Sequence, residues 1–422
     1  MRIRVPIRVA AVALACALVA AGCERASQPQ ARAELVWAIG EIDAVPDGPA
    51  QVIARMWNDQ NPSGPKVRVH GLPASADHQR QLMATELNAG LGGFDILTLD
   101  VVWTGEFAEN GWLADLQDRA PRFRNVALAV PMQSAMWSGR LWAAPFISDA
   151  GILYYRTDLV TTVPTTWEEM VRVGLAVGAR EGIAPFVGQG AQYEGMVVTY
   201  LELLWGAGGD LFDAGGTNVD FDDAPARKAL DFMRDAYQRG FYAKGFETMR
   251  EEEARIAFQN GGAVFMRNWP YAYPHLAGLE NGSISNVVGR FGIAPLPAFH
   301  GKGTTSATGG HNLAVSRFSQ SRRAAKDFVT FASTSPEVQR LLAEKYRRGP
   351  ALTSAYDGLG ADPVMAPLGR ILRDAKPRPP TPEWSAISDE IQQNVFPAYT
   401  GPLPSAAAVR EIRSFLELTA KP

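Results

Sequence analysis

The segment Gly92-Gly-Phe-Asp-Ile-Leu-Thr-Leu-Asp100-Val-Val-Trp103-Thr-Gly-Glu-Phe-Ala-Glu-Asn-Gly111-Trp-Leu-Ala-Asp-Leu116 sets a strand, a carboxylate, an indole and a short helix in immediate succession. Residues 94–99 are a brief apolar run after a glycine pair, the pattern of a strand buried on both faces. Asp100 stands at its carboxyl end and Trp103 three residues on; a short helix then runs to Asn110, where Gly111 suits a left-handed cap. In open α/β sheets ligands bind beyond the carboxyl ends of strands, so Asp100 stands where a ligand would be met. A plainer role fits the same two residues: Asp100 capping the helix and Trp103 packing in the core.

Upstream, residues 35–39 and 66–71 read as strands, with helical patterns at 48–58 and 76–88 between them and the 94–99 strand. That βαβαβ order predicts a mainly parallel sheet flanked by helices. Its strand ends would gather Glu41 and Asp43, then Ser75 and Arg80, then Asp100. For Arg80 taken alone, a solvated helix face is the simpler expectation.

Downstream, a helix is expected near 122–137, a strand at 141–145 and a further apolar run at 151–156, with Phe146-Ile-Ser-Asp149-Ala-Gly as a crossing between lobes. Thr166-Trp-Glu-Glu169 and Thr248-Met-Arg-Glu251 both fit a capping box. A strand at 263–266 leads into Arg267-Asn-Trp-Pro-Tyr-Ala-Tyr-Pro274, whose two prolines argue against a helix interior or central strand. Such a stiff loop would hold Trp269 and Tyr271 as a stacking platform at a strand end. Strands are also expected at 291–297 and 312–316, separated by a Gly- and Thr-rich loop and Gly309-Gly310-His311. Helices follow near 321–332 and 336–345. Arg347-Arg348-Gly-Pro350 reads as a third crossing, and Lys376-Pro-Arg378-Pro-Pro-Thr-Pro382 as an extended segment that holds Arg378 forward. Helices near 383–394 and 405–418 close the chain.

A chain of 422 residues exceeds what a single core usually supports, so two lobes are expected. We assign lobe one to residues 35–146 and 297–346, and lobe two to 147–296 and 347–422. Residues 1–22 differ from the rest: Arg2, Arg4 and Arg8 precede an apolar run at 9–21, the layout of an export signal too short for a membrane span. The run ends Val-Ala-Ala-Gly-Cys23, which resembles a lipoprotein box with Cys23 as the acylated residue and residues 23–34 as tether. Losing those arginines leaves the mature chain more acidic than the net −3 of the whole, which offers no basic surface for nucleic acid.

Cys16 and Cys23 are the only cysteines, so the folded part has no disulfide or thiolate metal site. The five histidines, His70, His78, His275, His300 and His311, show no metal-ligand spacing. G-x-S-x-G, H-E-x-x-H, Walker A and a complete G-x-G-x-x-G after a strand are all missing, and nothing calls for a cofactor. Carboxylates, arginines and flat rings remain, an inventory for recognising hydroxyls and apolar C–H surfaces. A secreted glycoside hydrolase using Asp100 and Asp149 is the alternative from another class, since such a pair is defined by distance in space.

With these residues in hand, the chain resembles the extracellular solute-binding proteins (family 1) of bacterial ABC sugar importers, in particular the trehalose/maltose-binding branch. Leu99-Asp100-Val-Val-Trp103, Asp149-Ala-Gly-Ile-Leu-Tyr-Tyr-Arg156, Gln192-Tyr-Glu-Gly195, Glu253-Ala-Arg-Ile-Ala-Phe-Gln259, Arg267-Asn-Trp-Pro-Tyr-Ala272, Ala294-Pro-Leu-Pro297 and Pro377-Arg-Pro379 carry the likeness. The resemblance implies a two-lobe periplasmic-binding-protein fold (type II-like) with three inter-lobe crossings. It implies a monomer anchored by lipid at the outer face of the cytoplasmic membrane, which passes an α-linked glucose disaccharide such as trehalose or maltose to permease subunits. It also implies sugar contacts for Asp100, Arg80, Ser75 and Asp149, a stacking platform of Trp269 and Tyr271, backbone from Gly310 and a hydroxyl-binding Arg378. His311 stands where that branch has Trp, and Ile147 where it has Tyr. The first-loop acid aligns with Val45, leaving Asp43, Asp47 or Glu41 to serve. A site lacking two rings suits a differently linked saccharide or a modified sugar.

Overall fold

Two sheets organise this computed structural model, which describes residues 34–213, 218–279, 284–299 and 306–419. The expected export leader, Cys23 and nearly all of the expected tether lie outside the described residues. Strands β1 (Glu34–Gly40), β2 (Lys66–Leu72), β3 (Ile96–Asp100), β6 (Ala143–Ala150) and β11 (Thr308–Val315) form a five-stranded sheet in the order β2-β1-β3-β11-β6. Strands β7 (Ile152–Arg156), β8 (Ala184–Val187), β9 (Ala263–Asn268) and β10 (Phe291–Ala294) form a four-stranded sheet in the order β10-β7-β9-β8. A small hairpin of β4 (Met136–Trp137) and β5 (Arg140–Leu141) completes the set.

The N-terminal unit follows directly from residue pattern. Leu35 to Ile39 of β1 are buried without alternation, as expected where helices cover both faces of a sheet. The polar groups that must enter this layer find partners. Trp37 Nε1 donates to Thr98 Oγ1 at 2.8 Å, and the fully buried Asp95 accepts from Val36 N at 2.9 Å and Ser319 Oγ at 2.6 Å. β1 pairs parallel with both β2 and β3, as the βαβαβ reading requires.

Beyond that unit the sheets are mixed rather than mainly parallel. β11 runs antiparallel to β3 and β6, while β7 runs antiparallel to β9 and β10. The reason is the path of the chain. It leaves the first sheet at Ala150, enters the second at Ile152 and comes back between Ala294 and Thr308. A strand arriving from the other lobe enters from the opposite end and has no crossover helix to turn it parallel.

Several local expectations change in the same way. The helix expected near 122–137 is a 3-10 turn, Gln117–Arg122, then a short helix, Ala129–Ser134, and strand β4. Pro131 sits in the first turn of that short helix, where its ring is tolerated. The Thr248–Glu251 capping box does not form: Thr248 Oγ1 donates to Gly245 O, and Arg250 N donates to Glu253 Oε2 at 3.0 Å at the head of the Glu251–Gln259 helix. Thr166 does cap its helix, accepting from Glu169 N at 3.2 Å. Pro274 lies within a five-residue helix, Ala272–Leu276, again at a first-turn position. A helix at Met365–Asp374 was not anticipated.

At the junction of β11 with β6 the register shifts between His311 and Asn312, a bulge that re-aims the residues just before it. Gly310 there has φ +114°, and a Cβ on it would run into the Ile147 carbonyl. Gly310→Ala should therefore lower unfolding free energy by at least about 2 kcal/mol. Urea denaturation followed by circular dichroism checks this, and an unchanged midpoint would show the bulge to be permissive.

Candidate ligand-binding cavity

The carboxyl ends of β1 and β3 meet the bulged end of β11 and the far end of β6 along one edge of the first sheet. Gly40 hands the chain to Glu41–Ala44, which carries Asp43; β3 ends on Asp100; β11 brings Gly309, Gly310 and His311; β6 brings Asp149. His311 lies opposite Asp100 in the β3–β11 ladder, and Gly309 opposite Asp149 in the β11–β6 ladder. From the second lobe come Trp269 and Tyr271 just after β9, Tyr193 and Glu194 at the head of the Glu194–Gly206 helix, and Glu251. All of these line one cavity between the lobes, together with Trp103, Arg348 and Arg378.

Charge is the dominant feature of that space. Five carboxylates, Asp43, Asp100, Asp149, Glu194 and Glu251, face two guanidinium groups. Arg378, 4% exposed, donates to Asp100 Oδ1 at 2.7 Å through Nη2 and to Glu194 through Nη1, joining an acid of each lobe. Glu194 also receives Trp384 Nε1 at 3.1 Å and the Ser388 hydroxyl. Arg348 pairs with Asp43, and its guanidinium lies 4.7 Å from the Tyr271 ring centre. Asp149 Oδ1 accepts from Gly349 N at 2.8 Å. Among the described residues no guanidinium donates to Glu251; Tyr193 Oη donates to it at 2.7 Å.

Burial pushes the Asp149 carboxyl up to about 6, against the opposing pull of Arg348 and the Gly349 amide. Glu194 rises to about 7, again through burial first, with Arg378 opposing and Asp100 adding to the rise. Glu251 also moves upward because it is buried. Burial lowers His311, so its ring is neutral. Tyr271 and Tyr193 are both raised by burial and then by the neighbouring Glu252 and Glu251 respectively. The cavity thus offers ionised and protonated carboxyls, phenols and a neutral imidazole, all able to exchange hydrogen bonds with a ligand.

The rings are held stiffly. Asn268 Oδ1 accepts from Trp269 N at 2.8 Å, Tyr154 Oη donates to Trp269 O at 2.9 Å, and Tyr271 Oη donates to Glu252 Oε1 at 2.7 Å. Trp103 is 4% exposed and stacks near Phe107, yet it also lines the cavity. Asp100 takes the Val102 amide at 3.1 Å but does not cap the Thr104–Glu109 helix, whose N-cap is Trp103. Asp100 thus faces the cavity at its strand end, and Trp103 packs in the core while lining the same cavity.

Asp100, Asp149, Trp269, Tyr271, Gly310, His311, Arg378 and Asp43 are therefore brought together. Arg80 and Ser75 are not part of the cavity lining. Arg80 Nε donates to Glu106 Oε2 at 2.8 Å, and Ser385 Oγ reaches the same oxygen at 2.7 Å. Ser75 is buried at the head of its helix, while Ala74, Ala76 and Gln79 line the cavity. Of the first-loop acids only Asp43 reaches the cavity; Glu41 and Asp47 border an adjoining outer depression. Ile147 is buried in the core.

Arg348, Glu194, Glu251 and Tyr193 line the cavity without a sequence signal that marks them for it. Arg348 sits in the crossing Arg-Arg-Gly-Pro, Glu251 had been read as a capping acid, and Tyr193-Glu194 lie in a quoted motif without a role of their own. Among the described residues, no group of three His, Cys, Asp or Glu could hold a metal ion, and no helix is long and apolar enough to cross a membrane.

Comparison with known proteins agrees with this architecture. Residues 45–339 match the family described as bacterial extracellular solute-binding protein. A probable ABC transporter-binding protein of Deinococcus radiodurans is 32% identical, over 80% of this chain and 83% of that one. A maltooligosaccharide ABC transporter solute-binding lipoprotein of Streptococcus pneumoniae is 22% identical over 67% of each chain. Maltose-bound MalE3 of T. maritima superposes with a TM-score of 0.84 at 34% identity, covering 92% of this chain and 99% of that one. The chain belongs to the bacterial extracellular solute-binding proteins and has their two-lobe fold. It is a binding protein and not an enzyme, so Asp100 and Asp149 share a cavity without being a hydrolase pair.

A carboxyl whose pKa rises on folding stabilises the native state fully below its unfolded value, and that stabilisation is lost as pH climbs through the folded value. For Asp149 the window runs from the ordinary aspartate value of 3.8 to about 6, a loss on the order of 2–3 kcal/mol. Asp149→Asn should flatten the decline in unfolding free energy between roughly pH 4 and 6. Urea titrations at pH 4, 5, 6 and 7 check this; equal slopes in both proteins would contradict the shift.

Proposed function

We propose that this chain is the receptor subunit of an ABC importer and captures a neutral saccharide, an α-linked glucose disaccharide such as maltose or trehalose, in the cavity between its lobes. The observation that carries this reading is the meeting of Asp43, Asp100 and Asp149 with the Trp269 and Tyr271 rings and Arg378 in one cavity. Carboxylates and arginine bind vicinal hydroxyls, while indole and phenol faces cover the apolar C–H patches of a pyranose. A cavity rich in carboxylates disfavours phosphate or sulfate ligands. The maltose held by the T. maritima neighbour and the name of the streptococcal relative support a glucose-containing ligand.

In this reading Asp100, Asp43, Asp149 and Arg378 take hydroxyls, Trp269 and Tyr271 stack, Gly310 offers backbone and His311 a polar contact in place of a third ring. Arg80 and Ser75 would reach ligand only after rearrangement, Arg80 by leaving Glu106. Closure around the ligand would present the receptor to permease subunits as a monomer. Cys23 carries the lipid that keeps it at the outer face of the cytoplasmic membrane, a role in keeping with the streptococcal relative's name as a lipoprotein.

Isothermal titration calorimetry with maltose, trehalose, related glucosides and amino sugars tests the ligand class; silence toward every saccharide would sink it. Trp269→Ala should weaken the binding sugar by about 1–3 kcal/mol. Asp100→Ala should cost more, because Arg378 and a ligand hydroxyl both lose their acceptor. Radiolabelled palmitate should be incorporated by the full-length chain in a bacterial host and not by Cys23→Ser; label in both would rule out Cys23 as the acylation site.

A further inference from the structure

The ion pair of Arg267 with Glu202 lies outside the cavity lining, yet it touches both the stacking ring and the passages between the lobes. Arg267 is 2% exposed and Glu202 3%. Arg267 Nε and Nη2 donate to the two Glu202 oxygens at 3.0 and 2.7 Å, and Nη1 donates to Gln189 Oε1 at 3.1 Å. Each nitrogen of its fork therefore makes a bond, and the planar group is set 4.0 Å from the centre of the Trp269 ring. A guanidinium held in plane by three bonds is a rigid backing for an indole.

Glu202 faces the other way as well. Its Oε1 accepts Ala307 N at 3.0 Å, and Ala307 O accepts Gly151 N at 3.1 Å. Gly151 lies between β6 and β7, and Ala307 lies on the segment that returns to β11, so the two passages between the sheets meet on this carboxylate. Gly151 has no room for a side chain: a Cβ there would collide with Glu202 Oε1 and with Arg267 Nη2. At the opposite side, a Cβ on Gly309 would come within 2.7 Å of Trp269 Cζ3, so the ring fits between the ion pair and the β11 backbone.

We propose that Arg267 is a positioning residue for ligand binding: paired with Glu202, it fixes the Trp269 ring and ties that ring to the two segments, at Gly151 and Ala307, that join the sheets. Ring and passages then share one buried pair, so a ligand lying on Trp269 acts on the same pair that holds the passages. The Arg267–Glu202 geometry is independent of ligand, whereas its bearing on affinity rests on the saccharide reading of the cavity.

The test uses 5-fluorotryptophan-labelled full-length protein, with the Trp269 fluorine resonance assigned by its loss in Trp269→Phe. In ligand-free Arg267→Met this resonance should shift or broaden, and amide exchange over residues 306–315 should speed up. Glu202→Gln provides the second variant if Arg267→Met does not fold. Leu230→Ala, a truncation in the helix Asp223–Gln238, controls for instability alone and should move neither signal. Maltose is the ligand probe, with at least a tenfold loss of affinity expected in Arg267→Met and partial recovery in Arg267→Lys. If either the fluorine signal or the exchange stays as in the wild type, the positioning role is overturned, and so it is if wild type binds maltose and Arg267→Met binds it equally well. Wild type that ignores maltose, trehalose and every other saccharide of the calorimetry panel, with both ligand-free signals moved by Arg267→Met, overturns the saccharide reading and leaves the positioning role standing.

Discussion

Arg378 is the constraint on which the cavity depends. A guanidinium 4% exposed must have its charge compensated, because an unpaired buried charge costs several kcal/mol. Its partners are Asp100, at the end of β3 in the first lobe, and Glu194, at the head of a helix in the second. One cation thus holds an acid from each lobe, and the extended Pro-Arg-Pro segment holds that cation in place. At the other side of the space Arg348 pairs with Asp43 and lies against the Tyr271 ring. With five carboxylates and two guanidinium groups lining it, the cavity retains acceptor capacity that its own residues do not use up.

Burial governs the titration behaviour. Asp149 and Glu194 hold protons longer than free carboxyls because their burial outweighs the opposing pull of Arg348 and Arg378 respectively. Protonated carboxyls donate as well as accept, so the cavity can match the mixed donor and acceptor pattern of hydroxyl groups. The rings add a different kind of selectivity. Trp269 and Tyr271 are fixed by backbone and side-chain bonds and present flat faces with little entropy left to lose.

Much of the fold was legible because it is local. The residues of β1, the helix Ala76–Asn88 and the run ending at Asp100 show their nature through apolar continuity and spacing. Asp100, Trp269, Tyr271 and Arg378 stood out because strand ends and proline-rich segments place side chains where ligands are met. What was not legible depends on distance in space. Glu251 looks like a capping acid in sequence, and only the fold sets it against Tyr193. Arg348 sits in a crossing segment, and nothing nearby in sequence reveals its pairing with Asp43 across 305 positions. Arg80 was drawn toward the cavity by resemblance, but Glu106 and Ser385 hold it elsewhere. The mixed sheets escaped notice because strand direction after a crossing between lobes is set by the path of the chain and not by side-chain pattern.

The central claim is that acids from both lobes and rings from the second converge on one saccharide. A crystal structure of the full described chain grown with maltose or trehalose tests it most directly. The account predicts a sugar in the cavity, with hydroxyls within hydrogen-bonding distance of Asp100 and Arg378 and one pyranose face against Trp269. A sugar bound elsewhere, with the Asp100–Arg378–Glu194 cluster intact and Trp269 uncovered, would contradict it.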